Sequence, residues 1–245
     1  MELSIIASGS NGNCCLLQAA GVSVLFDAGK SFSETARRMA ALGKDIQQVD
    51  GIVLSHAHGD HYHGIGPIAR RLHIPVYVRE EVYAACRCGL GTVDVRHFED
   101  GFRIGDMEIT PVETSHDVTS CGFVVGRFGI FTDTGCVTYQ MREIIRDLDA
   151  VLLESNYDER MLMAGPYPVD LKERIASDRG HLSNEDASDF IRRYGDHLTQ
   201  VFLAHLSETN NSADKVKETF EFFNEERPYV VCSRYRQTGT FRIKE

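Results

Sequence analysis

The sequence predicts an α/β fold, on three observations. Apolar runs of strand length alternate with runs of helical period along all 245 residues. Residues that carry chemistry stand where apolar runs end, as at His56, Asp133, Glu154 and His205. No Pro-, Ser- or Gly-rich linker and no short-period repeat breaks the alternation. Residues 1–245 therefore read as a single domain, long enough to bury a core.

Composition narrows the classes. The 26 basic and 36 acidic residues leave a net charge of −10, which argues against a non-specific polyanion binder. A nucleic-acid enzyme stays open, because bound divalent cations and a local basic surface reverse the field where it matters. The seven cysteines match neither a zinc-ribbon spacing nor a disulfide framework, so they read as reduced thiols of a cytoplasmic protein. The N-terminus lacks the basic segment and long apolar run of a signal peptide, and charges such as Arg127 interrupt every apolar stretch, so no membrane span is expected.

Residues 3–7 read as the first strand. The Ser8-Gly9-Ser10-Asn11-Gly12-Asn13 loop either cradles an anion on its backbone N–H groups or is a plain hairpin turn. Residues 14–17 and 22–26 are strands joined at Gly21, and Asp27-Ala28-Gly29 ends the second of them. Ser31 with Glu34 offers a capping box for a helix to about Leu42, which Gly43 stops.

Residues 51–54 form a short buried strand, followed by His56-Ala57-His58-Gly59-Asp60-His61-Tyr62-His63. Wedged between a strand and a helix, this stretch is no solvated His-rich tract. In extended chain residues i and i+2 point the same way, so His56 and His58 can grip one cation together. Asp60 and His61 aim from the following turn at a second point, and such nitrogen and oxygen donors suit first-row divalent metals. Gly64 and Gly66 read as a turn, and Pro67 as a first-turn residue of a helix.

Residues 76–78 read as an edge strand, followed by a helix through Val82 and Ala85 and by strands at 96–98 and 107–112. His116, just beyond, is by itself an ordinary core or surface histidine. Residues 129–132 and then Asp133-Thr134-Gly135 repeat the design of strand, carboxylate and glycine, and a carboxylate can bridge two cations where a neutral imidazole cannot. Residues 138–148 read as a helix with Met141, Ile144, Ile145 and Leu148 on one face, and 150–154 as a strand ending in Glu154. His181 precedes a helix that Ser183 caps and that reaches Tyr194, a place where phosphate binds well. His205 closes the strand 200–204, Ser212 caps a last helix with Val216, Phe220 and Phe223 inward, and 228–232 and 240–243 are the final strands.

His56-x-His58-x-Asp60-His61, followed by Gly64, resembles the signature of the metallo-β-lactamase superfamily of hydrolases. The resemblance implies an αββα four-layer sandwich with two mixed β-sheets and two divalent metal ions, zinc or manganese. It implies one ion on His56, His58 and His116, the other on Asp60, His61 and His205, Asp133 as the bridge and Asp27 behind the ligands. Glu154, then Gly180-His181-Leu182-Ser183, then His205-Leu206-Ser207 are similar in order to the nucleic-acid-processing branch. Residues 7–13, 27–29 and 203–211 resemble the YycJ/WalJ group of bacterial exonucleases, and that likeness runs over nearly the full length.

What this resemblance implies is a metal-dependent phosphodiesterase, a 5′→3′ exonuclease on double-stranded DNA carrying a 5′-phosphate, with attack by a hydroxide held between two ions. Asp60 would accept the water's proton, His181 would meet the phosphate or protonate the leaving group, and Glu154 would orient His181. The group does not require His63, which is left exposed or supporting. DNA is the implied partner, and no obligate protein partner is legible. Arg234, Tyr235 and Arg236 are the leading nucleic-acid contacts, since Tyr235 offers a ring to a base. Arg70-Arg71, Arg192-Arg193, Arg242 and Lys244 read equally as solvated surface. The alternatives are a hydrolase of the same fold acting on a lactone, thioester or cyclic phosphodiester, and a non-catalytic metal-holding protein. Against the latter, all seven ligand positions carry competent residues.

Overall fold

A computed structural model describes residues 1–224 and 227–244. They fall into two compact units, Met1–Pro111 with Arg234–Glu245, and Val112–Ser233. The first unit opens with an antiparallel meander of β1 (Glu2–Ala7), β2 (Cys14–Ala19) and β3 (Val22–Phe26). Ala20 and Gly21, at φ 51° and 74°, make the tight turn whose twist suits two antiparallel strands. Parallel neighbours need crossover connections, and helices supply them. They are α1 (Phe32–Ala41) before β4 (Gly51–Val53), α2 (Gly59–Tyr62) and α3 (Ile65–Leu72) before β5 (Val76–Val78), and α4 (Glu80–Leu90) before β6 (Val95–His97). Next come β7 (Phe102–Ile104) and β8 (Met107–Glu113), an antiparallel pair, and the boundary between the units falls inside β8.

The second unit holds β9 (Cys121–Val125), β10 (Phe128–Phe131), α5 (Tyr139–Ile144), β11 (Ala150–Glu154), α6 (Glu159–Ala164), α7 (Val169–Ile175), α8 (Asn184–Tyr194), β12 (Gln200–Ala204), α9 (Ala213–Asn224) and β13 (Tyr229–Val231). The last strand, β14 (Gly239–Arg242), returns to the first unit and pairs with β1. Strand order there is β14-β1-β2-β3-β4-β5-β6, and in the second unit β13-β12-β11-β10-β9. Both sheets are mixed and helices flank them, as expected. Strands β4, β10 and β11 are buried throughout, which accounts for their uninterrupted apolar runs. Leu16, Leu25, Ile52 and Val76 pack with Met39, Ile68 and Leu90 in one core. Phe131, Leu153 and Leu203 pack with Met141, Phe190 and Phe220 in the other.

Several expectations are corrected. Strand β5 is interior, not an edge, because β6 pairs along its outer side. Gly64 lies in the turn between α2 and α3, but Gly66 does not: α3 starts at Ile65 and includes it, and a Cβ on Gly64 would sit 1.8 Å from the Lys30 carbonyl. The helix at 138–148 stops at Ile144 and tightens into a 3-10 turn over Ile145–Asp147. Phe223 is half-buried, and Asn224 takes the inward position beside it, donating to the carbonyls of Ser188 and Phe220. The capping box at α1 is half made: the Ser31 hydroxyl accepts from Glu34 N, but the Glu34 carboxylate goes to Arg37 and Arg38. No helix among the described residues is long and apolar enough to cross a membrane.

Candidate active site

Both sheets switch from antiparallel to parallel pairing at a strand that delivers an aspartate. Strand β3 is antiparallel to β2 and parallel to β4, while β10 is antiparallel to β9 and parallel to β11. The carboxyl ends of strands at such a switch are where open α/β sheets leave room for a ligand. Asp27 beyond β3 and Asp133 beyond β10 both lie at φ 57°, and His205 beyond β12 at 58°. Side chains rarely adopt this left-handed backbone, which costs on the order of 1–3 kcal/mol and persists only where surroundings hold it.

In the first unit the holding is explicit. Asp27 Oδ1 accepts from Ser55 N at 2.9 Å, and Oδ2 accepts from the Ser55 hydroxyl at 2.8 Å and His61 Nδ1 at 2.7 Å. With its proton on Asp27, the Ser55 hydroxyl accepts from His56 Nδ1 at 2.9 Å. Short helix α2 carries Asp60 and His61, and His58 is its N-cap residue, its ring 4.8 Å from that of His56. The loop 8–13 joins β1 to β2 and braces this motif. Asn13 N donates to the Asp60 carbonyl at 2.7 Å, and its carboxamide nitrogen donates to His61 Nε2 at 2.9 Å and Asp60 Oδ2 at 3.2 Å.

The second unit gathers Asp133, Glu154, His181 and His205, whose ligand atoms all lie within 4.8 Å of one another. Glu154 is its hub. This fully buried carboxylate accepts from His181 Nδ1 at 2.8 Å and His205 Nδ1 at 2.7 Å through Oε1, and from Thr134 N and Leu182 N through Oε2. Burial pushes the Glu154 carboxyl up, but the imidazole of His181 and then that of His205 outweigh it and hold it below the usual range. Burial likewise pulls His181 down, and the Glu154 carboxylate more than reverses this. His116 donates from Nδ1 to the Gly180 carbonyl at 2.9 Å, and burial is what lowers it most. The Asn156 carboxamide donates to the His205 carbonyl at 2.8 Å, pinning the left-handed turn.

These networks test whether a metal fits. His56, His61, His116, His181 and His205 all commit Nδ1 to an oxygen acceptor, which assigns the tautomer with the Nε2 lone pair; at His61 that lone pair accepts from the Asn13 carboxamide, which a metal would have to displace. That tautomer is the one a metal-ligating imidazole needs, and the neighbouring carboxylates complete a donor set for a divalent cation. Sequence reasoning found the chemistry-bearing residues and two of their holders, Asp27 and Glu154, but missed Ser55, Asn13 and Asn156. Ser55 stands directly before His56 and Asn13 directly after Gly12, signals that were present; nothing in the chain marks Asn156. His63 is exposed. In the tail Tyr235 is 72% exposed and Arg236 exposed, but Arg234 is only 7% exposed, so a direct surface contact from Arg234 is disfavoured by its burial.

Comparison with known proteins agrees. A beta-lactamase superfamily domain matches residues 23–206. Exodeoxyribonuclease WalJ of Streptococcus pneumoniae is 37% identical over 223 residues, covering 86% of this chain and 83% of that protein. Exodeoxyribonuclease YycJ of Bacillus anthracis is 33% identical over 245 residues, covering 94% and 92%. The chain belongs to the metallo-β-lactamase superfamily. Within that superfamily it groups with the WalJ/YycJ exodeoxyribonucleases, and membership implies a divalent-metal site. Solved structures share the fold: YhfI from Bacillus subtilis has a TM-score of 0.74 at 16% identity over 98% of both chains. Zn(2+)-bound PqqB from Methylobacterium extorquens has 0.74 at 13%, covering 99% of this chain and 100% of that one.

Proposed function

We propose that this protein is a metal-dependent exonuclease that degrades double-stranded DNA in the 5′→3′ direction. The observation that carries most is its 33–37% identity to exodeoxyribonucleases over most of its length. The superfamily match runs through both units, which supports treating residues 1–245 as one functional domain. His56, His58 and His116 would hold one ion and Asp60, His61 and His205 the other, with Asp133 shared. Zinc and manganese both suit these donors. When bound, the ions supply a nucleophile at neutral pH and offset charge on the scissile phosphate. Asp60 takes the proton of the attacking water, with Asn13 fixing its carboxylate. His181, part-exposed and held through Nδ1 by Glu154, presents Nε2 to the phosphate or the leaving oxygen. The seven free cysteines support a reducing compartment, the cytoplasm.

The test is digestion of linear duplex DNA with a labelled 5′-phosphate in Mn²⁺, beside closed circular DNA and a chelated control. Mononucleotides released from the linear substrate alone, and lost on chelation, are the expected result. No digestion of any DNA by metal-loaded protein would transfer the assignment to a small-molecule hydrolase of this fold. His181→Ala should lower kcat about 10²-fold while bound metal stays constant. Metal lost in that variant would make His181 a ligand instead.

A further inference from the structure

Helix α7 buries no residue, and of residues 176–180, which lead from it to His181, only Gly180 is buried. Apolar packing therefore does little to fix this strap, and polar contacts to the His116-Asp117 turn hold it instead. The exposed Arg179 donates from Nε to the His116 carbonyl at 2.9 Å, and its Nη2 reaches the Asp117 carbonyl at 3.5 Å. In return His116 Nδ1 donates to the Gly180 carbonyl at 2.9 Å. Arg174, near the end of α7, donates to the Asp117 carboxylate, which lies 3.4 Å from His116 Nε2.

The backbone around the strap leaves it little room. A Cβ on Gly180 would lie 2.2 Å from the carbonyl oxygens of Arg174 and Ile175, and one on Gly135 would lie 2.4 Å from the Ser177 carbonyl oxygen and 2.5 Å from Gly180 N. Gly180 N donates to the Ser177 carbonyl at 2.8 Å, and His181 N to the Ile175 carbonyl at 2.9 Å. The strap is thus a tight unit, and Arg179 is the side chain that ties it to the main chain on both sides of the His116 peptide. Fixing a long exposed side chain costs rotamer entropy, so these bonds add little to global stability. Their consequence is local. A ligating imidazole depends on an acceptor for its other N–H, and here that acceptor, the Gly180 carbonyl, is the residue next to Arg179.

We propose that Arg179 is a positioning residue for the metal ligand His116: it clasps the 116–117 main chain to the 174–180 strap, keeping the Gly180 carbonyl on Nδ1 and Nε2 as the nitrogen that donates to the ion. This rests on the reading of His116 as a metal ligand and adds to it the side chain that sets its ring. His181 follows in the same strap but has its own holder in Glu154. The clasp therefore acts on metal binding more than on the step that His181 serves.

Full-length Arg179→Ala, Arg179→Lys and wild type, stripped of metal, test it. Zn²⁺ is titrated back against a competing chromophoric chelator, the metal-free proteins are melted, and the Mn²⁺ dependence of DNA cleavage is read separately. Arg179→Ala should bind one of two ions about tenfold more weakly and the other as wild type does, while its metal-free form melts within about 2 °C of wild type. Arg179→Lys keeps the charge but not the planar fork that meets two carbonyls, and should lie between them. Cleavage by Arg179→Ala should need about tenfold more Mn²⁺ for half-maximal rate, with kcat at saturating Mn²⁺ within about threefold of wild type. Binding of both ions as in wild type overturns the clasp. So does a metal-free melting temperature lowered by more than about 5 °C, which would make Arg179 a general support of the fold. Wild-type protein that binds both ions but cuts no DNA would remove the exonuclease reading and leave the clasp standing.

Discussion

Glu154→Gln is expected to lower kcat about 10³-fold and to destabilise the protein by about 2–3 kcal/mol. Glu154 is fully buried and faces four donors: two imidazole Nδ1–H groups and the backbone N–H groups of Thr134 and Leu182. A carboxylate has lone pairs for all four, whereas a carboxamide offers one oxygen and turns an NH₂ towards donors. The stability cost follows from leaving buried donors unsatisfied. The kinetic cost compounds two losses. Freeing His181 forfeits its acid–base or phosphate-binding contribution, about 10²-fold, and loosening His205 adds about tenfold through poorer ligand orientation. Steady-state kinetics, thermal melting and metal stoichiometry on one preparation check this. A variant with wild-type kcat and melting temperature would show that the two histidines do not depend on Glu154.

Much of this site was legible because α/β chains put chemistry where buried strands stop. His56, Asp133, Glu154 and His205 each end an apolar run, and apolar runs are what a sequence displays best. What was not legible lacks that contrast. Helix α7 buries no residue, so no apolar stripe announces it, and three-residue β7 is too short to show alternation. The burial of β5 is equally compatible with an edge or an interior place, and only its pairing with β6 decides. The tail shows the opposite failure. Arg234 and Arg236 look alike in sequence, yet one is buried and the other exposed. Asn13 reads Asp60 and His61 from 47 and 48 residues away, a relation that no local pattern encodes.

Gly29→Ala is expected to cost at least about 3 kcal/mol, a fall in melting temperature of roughly 6–12 °C for a chain of this size. The cause is steric. A Cβ on Gly29 would lie 1.7 Å from the Asp60 carbonyl oxygen, 2.4 Å from its carbon and 2.9 Å from Gly12 Cα, all backbone atoms that no rotamer change can move aside. Relief would have to displace either Asp60 or the loop 8–13, and Asn13 bonds to both Gly29 and Asp60. The methyl group therefore strikes the metal-binding motif itself, and the folded fraction should bind metal more weakly than wild type. Gly135 occupies the matching place in the second unit, two residues after an aspartate at the same φ, and a Cβ there would lie 2.4 Å from the Ser177 carbonyl oxygen. The two Asp-x-Gly segments thus work alike: the aspartate turns out of its strand in a left-handed conformation, and the glycine admits a neighbouring backbone against the turn. A Gly29→Ala protein melting within about 2 °C of wild type would mean that the Asp60 carbonyl yields freely, and that this close approach is not what sets the motif.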